Sequence, residues 1–106
     1  MSDLETAQAI TDQLVAEFAP QRVVWFGSRA NGAGRADSDF DLLVVADTTD
    51  AFGKRHFRAN WATRHIAVAK DIMVVTPTEH RKFGQWRSSV VASAEATGRV
   101  LYDVPR

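Results

Sequence analysis

Asp39-Phe40-Asp41 leads directly into Leu42-Leu43-Val44-Val45, and Asp71 leads into a second apolar run, Ile72-Met73-Val74-Val75. Both runs read as buried strands, so all three acids stand where a strand begins. Side chains alternate along a strand, and residues two apart share a face. Asp39 and Asp41 therefore present two carboxylates side by side, an arrangement that is costly unless a cation lies between them. If the two runs are neighbours in one sheet, Asp71 joins the pair. Three such carboxylates suit two Mg²⁺ ions about 4 Å apart, one activating an attacking oxygen and one holding a triphosphate.

Gly27-Ser28 is the second element of this chemistry. It follows the apolar run Arg22-Val23-Val24-Trp25-Phe26 and opens a stretch of small residues, Arg29-Ala30-Asn31-Gly32-Ala33-Gly34. A helical turn starting there would offer free backbone N–H groups to phosphate oxygens. Glycine permits close backbone approach, and the serine hydroxyl adds a rotatable donor. Each feature alone has an ordinary explanation. The Asp pair could cap a turn with Asp37 and Ser38, Ser28 could be a plain N-cap, and Asp71 could merely begin a strand. In combination they place a phosphate anchor and three acids, in order, at junctions of strand and turn. His56, His65 and His80 show no ligand spacing with one another, and His65 reads as a partly buried structural residue.

The elements that must position these groups follow from periodicity. Leu4, Ala7, Ile10, Leu14 and Phe18 recur at three- and four-residue steps, which predicts a helix over about Asp3–Ala19. Ser2 and Glu5 have the spacing of a capping box, and Pro20 ends the helix. A strand over Arg22–Phe26, a turn and loop to Ser38, and a strand over Phe40–Ala46 come next. A second helix is expected from about Phe52 to Ala69, with Phe57, Trp61, His65 and Val68 on its buried face. A third strand runs over Asp71–Val75, stopped by Thr76-Pro77. Helix follows, broken near Gly84 and capped by Gly98, and Val100–Tyr102 adds a short strand. Helices and strands in this order give an α/β (α+β) domain, a small sheet covered by helices on one side. Trp25 and Trp61 are expected in the core, whereas Trp86, among Gln85, Arg87 and Ser88, is the candidate for a partner surface.

At 106 residues the chain is read as one domain, 1–106. Thirteen basic and thirteen acidic residues cancel, which argues against a protein that coats nucleic acid. Lys54, Arg55, Arg58 and Arg64 read as a solvated helix face. Cysteine is absent, the N-terminus lacks a basic-then-apolar signal pattern, and no apolar run approaches the ~20 residues needed to cross a bilayer. A cytoplasmic protein with no membrane association is expected.

Gly27-Ser28, ten intervening residues and Asp39-Phe40-Asp41 together resemble the GS-x10-D-x-D signature of the DNA polymerase β nucleotidyltransferase superfamily. The text around it, WFGSRANGAGRADSDFDLLVV, is similar to the minimal nucleotidyltransferase (MNT) branch, KDIMVVTP supplies the third acid as Asp71, and EATGRVLYD resembles the tail of those proteins. The resemblance implies a small mixed sheet with helices packed on one face. It implies that Gly27 and Ser28 hold the β- and γ-phosphates of a nucleoside triphosphate, that Asp39 and Asp41 bridge Mg²⁺ ions, and that Asp71 ligates the catalytic ion and helps deprotonate the acceptor hydroxyl. The reaction implied is transfer of AMP from ATP with release of pyrophosphate. Many MNT proteins are antitoxins that place AMP on a tyrosine of a HEPN-domain ribonuclease toxin. A chain this small would need that partner, or a second copy of itself, to complete the acceptor site. Asn31 departs from the family, where many relatives carry a basic residue and read SRARG. Arg29 could contact the triphosphate or brace the loop. Two other functions stay open: a catalytically idle antitoxin acting by contact, and a transferase acting on a small molecule or RNA.

Overall fold

The computed structural model describes residues 1–105, so the final residue of the expected 1–106 domain lies outside the described residues. Helix α1 (Asp3–Phe18) begins with the expected capping box: Ser2 Oγ accepts from the Glu5 N–H, and Glu5 accepts from the Ser2 N–H. Its buried stripe includes Ala7, Ile10, Leu14 and Phe18. Strand β1 (Arg22–Phe26) follows, then a single helical turn, α2 (Gly27–Ala30), a loop, and β2 (Phe40–Val45). Helix α3 (Phe52–Ala62) crosses to β3 (Lys70–Val75), and α4 (Pro77–Gly84), α5 (Val90–Thr97) and β4 (Arg99–Asp103) complete the chain. Among the described residues no helix is long and apolar enough to cross a membrane.

The four strands form one mixed sheet in the order β3-β2-β1-β4. β1 is antiparallel to β2 and to β4, and β2 is parallel to β3. Val23, Trp25, Phe40, Leu42, Val44, Ile72 and Val74 face α1 and α3 across the larger core. The expectation of helices on one face holds for that side but is incomplete. Val24, Leu43, Val45 and Val75 point the other way and pack with Val91 and Ala94 of α5 and Phe83 of α4. The strands are near-continuous apolar runs rather than alternating ones, so both faces need cover.

The second helix differs from expectation in length and in facing. It stops at Ala62, where Thr63 returns its hydroxyl to the Ala59 carbonyl and Lys70 Nζ bonds the carbonyls of Thr63 and Ile66. Phe57 and Trp61 are 66% and 58% exposed, while Arg55 and Ala59 are buried. His65 is exposed, and only Val68 of the expected stripe packs on the core. Ala59 allows close approach to the sheet, and Arg55 is affordable inside because its guanidinium is filled: Nε donates to Asp50 O, Nη1 to Val74 O and to Glu79 Oε1. The basic residues are therefore not one solvated face. Arg55 is internal, Arg58 pairs with Glu17 and Asp50, and Arg64 stacks on Trp61.

Candidate active site

Strand directions bring the chemistry to one end of the sheet. β1 runs antiparallel to β2, so the end of β1 meets the start of β2; β2 and β3 are parallel, so their starts lie together. Phe26 is paired with Asp41, and Asp41 with Asp71. Register partners on adjacent strands are about 5 Å apart and project to the same face. Asp41 and Asp71 thus stand side by side on the face that carries α4 and α5, with Asp39 just ahead of β2. Strand parity turns Lys70 the other way, where its ammonium caps the carbonyls beyond α3 and leaves the acids alone.

The electrostatics at Asp41 are one-sided. Burial, then the charge of Asp71, then that of Asp39, each push its carboxyl above the ordinary carboxylate range. Among the described residues no cation offsets them there, and a field of this sign is one a divalent cation fits. Among the described residues no group of three His, Asp or Glu side chains is placed to hold a metal ion, so the expected convergence of Asp39, Asp41 and Asp71 is not met as a set; the two acids that register brings together are Asp41 and Asp71. Asp41 and Asp71 alone supply the one or two carboxylates by which Mg²⁺ is commonly held beside substrate phosphates.

Gly27 is fixed by two independent demands. Its φ is +83°, which favours glycine, and a Cβ there would stand 2.1 Å from Asp41 Oδ2. The phosphate-anchor candidate and the central acid are therefore in contact. Ser28 is exposed, and the first turn of α2 receives no side-chain cap; its N-cap position is Phe26. The N-cap reading of Ser28 does not hold.

Arg29 spends its guanidinium on the loop. Nε donates to Ser38 O, Nη2 to Ala36 O and Nη1 to Asp3 Oδ1, while the group lies 4.4 Å from the Phe40 ring centre. Gly34 packs on the same side chain, and an added Cβ would come within 2.6 Å of Arg29 Cγ. Of the two roles open to Arg29 in the sequence, bracing is the one these bonds occupy. Asn31 sits at the end of α2, its N–H bonded back into the turn.

A cleft of about 410 Å³ opens beside Asp71 and reaches Phe26, the residue before Gly27. Phe26, Phe52, His56, Met73 and Val90 are among its walls. Sequence reasoning missed these residues as a group. Phe52 was visible only as a helix start and Val90 not at all, because the walls come from four separate elements.

A search of curated proteins finds no match to this chain. Among solved structures, the toxin–antitoxin MntA-HpeT in a mutant form superposes with a TM-score of 0.66 at 18% identity, covering 92% of this chain and 73% of that one. A toxin–antitoxin with AMP-PNP gives 0.65 at 20% identity and the same coverages. At such identities the likeness establishes the fold. The family model of the nucleotidyltransferase domain matches residues 8–98, a span that takes in Gly27-Ser28 and all three acids, and on that match the chain belongs to the nucleotidyltransferase domain family.

Proposed function

We propose that this chain is an antitoxin that transfers AMP from ATP to a tyrosine hydroxyl of a HEPN-type toxin. The observation that carries the reading is the row Gly27–Asp41–Asp71 across the end of three strands, with a cleft against it. Membership of the nucleotidyltransferase family and the toxin–antitoxin fold neighbours, one holding AMP-PNP, support it.

In this reading Gly27 and Ser28 receive the β- and γ-phosphates, where free backbone N–H groups and the hydroxyl can donate. Asp39 and Asp41, with Asp71, hold Mg²⁺, which when bound neutralises charge along the triphosphate and at the transferring phosphoryl group. Asp71 faces the incoming hydroxyl and takes its proton. The hydroxyl oxygen forms a bond to the α-phosphorus as the bond to the bridging oxygen breaks, and pyrophosphate leaves. The protein's contribution is mostly position and charge.

The test is to purify the chain with the product of the adjacent gene, add ATP and Mg²⁺, and examine both proteins by mass spectrometry. AMP on a partner tyrosine, absent in Asp39→Ala/Asp41→Ala, is the expected result. A double variant that silences the partner as well as wild type would show that contact alone is the means. AMP found on an added aminoglycoside or RNA instead would move the chain to the other transferase class.

A further inference from the structure

We propose that the outward face of α3, Phe57, Trp61 and Arg64 with Lys54, is a docking surface for a protein partner that meets it with an apolar patch rimmed by carboxylates; only the choice of partner for the test rests on the transferase reading above. Lys54, Phe57, Trp61 and Arg64 follow one another at three- and four-residue steps, so they share one helix face. All four are exposed. Phe57 lies parallel to Trp61, with 8° between planes and 6.3 Å between ring centres, and the Arg64 guanidinium stands 4.1 Å from the Trp61 ring centre. Arg64 Nη1 also donates to the Trp61 carbonyl at 2.7 Å. The ladder is therefore ordered before anything binds it, and little side-chain entropy is left to lose. Tryptophan and arginine are among the side chains that most often anchor protein interfaces.

Charge selects the occupant. From Ala51 to Lys70 the chain holds no acidic residue. Arg55 and Arg58 are occupied by Glu79, Glu17 and Asp50, and Lys70 by carbonyls. Among the described residues Arg64 pairs with no carboxylate, and Lys54 reaches Asp50 only at 3.6 Å from a side chain 71% exposed. The face thus has an aromatic centre and a cation at either end, which an apolar patch with an acidic rim complements. A second copy of this chain would set like charges against each other across a two-fold axis. Nucleic acid suits the face poorly. Two cations make few phosphate contacts, and Phe57 and Arg64 flank Trp61 from the turns before and after it, where a base would have to stack. Gly53, one turn before Phe57, lines the cleft beside Asp71, so a partner seated on the ladder is held alongside the site.

The chain carries three tryptophans, so 5-fluorotryptophan labelling gives three ¹⁹F resonances, assigned by single tryptophan-to-phenylalanine variants. The product of the adjacent gene, titrated into the labelled full chain, is expected to move the Trp61 resonance saturably and to leave that of the buried Trp25 in place. This reading needs no substitution in the docking face. Phe57→Ser with Trp61→Ser, both at exposed positions, should weaken the measured Kd about 30-fold or more. Lys54→Glu with Arg64→Glu should weaken it about ten-fold and reduce its salt dependence. Binding that moves Trp86 and not Trp61 would overturn the proposal, as would affinities unchanged in both double variants, or no complex at all. A Trp61 resonance that answers to single-stranded oligo(U), or to the chain's own concentration, instead of to the partner would overturn it as well. The two readings fail separately. A complex that covers Trp61 without AMP transfer would remove the reaction and leave the docking surface; AMP on the partner with Trp61 unmoved would remove the surface and leave the reaction.

Discussion

Asp41 is acted on by burial and by two neighbouring carboxylates, all in one direction. Its folded-state proton affinity therefore exceeds that of the unfolded chain, and the native state binds more protons across the interval between the two values. Stability contributed at this position is present at low pH and falls as pH rises from the ordinary carboxylate range through the raised one. At neutral pH and without divalent cations, Asp41→Asn should raise Tm. Discounted for solvent screening, a gain of about 0.5 kcal/mol corresponds to roughly 2–4 °C in a domain of this size. Mg²⁺ with ATP should raise Tm for wild type but not for the variant, which should also lose transfer. A variant that melts with wild type at pH 7 would mean the acids do not strain the apo fold. Gly27→Ala tests the neighbouring contact. A left-handed alanine costs about 1–2 kcal/mol, and its Cβ must displace the Asp41 carboxylate by about 1 Å to reach ordinary contact. A displacement of that size is expected to lower transfer about 100-fold, with the far-ultraviolet circular dichroism unchanged.

The loop that delivers Asp39 is held by one side chain from the element before it. Arg29 bonds the carbonyls of Ala36 and Ser38 and reaches back to Asp3 of α1, tying helix, turn and strand together around the site. Lysine keeps the charge but not the planar fork. Arg29→Lys should cost about 2 kcal/mol, quicken amide exchange over Asp37–Asp39, and lower kcat with KM for ATP changed less than about three-fold. A large rise in KM with unchanged exchange would assign Arg29 to the triphosphate instead. The sequence could not decide between these roles, because a guanidinium two residues after a candidate phosphate-anchor glycine serves either. It did foresee that Gly27, Asp41 and Asp71 meet at one end of the sheet, because strand parity and the ends of apolar runs are local signals. It misplaced the buried face of α3, since periodicity finds a stripe but cannot say whether Phe57 and Trp61, or Arg55 and Ala59, turn to the sheet. That choice depends on Asp50, Val74 and Glu79, which meet Arg55 only in the folded molecule.

On the scale of the whole molecule, the three tryptophans separate what holds the fold from what faces outward. Trp25 is 1% exposed, in the larger core, and stacked with Phe40 at 6.3 Å between ring centres. Trp86 is 54% exposed, as its polar neighbours suggested, and Trp61 is exposed with Phe57 stacked on it along α3. Removing Trp25 leaves a cavity against β2 and α1, and Trp25→Ala should cost about 3–5 kcal/mol. Phe57→Ser with Trp61→Ser removes a larger apolar area yet takes nothing from either core, only a helical i,i+4 stack and the exposed Arg64 contact on Trp61, together worth about 1 kcal/mol. The double variant should therefore melt within a few degrees of wild type, while Trp25→Ala melts far below it. Acrylamide should quench the fluorescence lost with Trp61 efficiently and that of Trp25 poorly. A large loss of stability in the surface variant would mean that α3 packs by its aromatic stripe after all, which would turn Arg55 outward and unseat Phe52 from the wall beside Asp71.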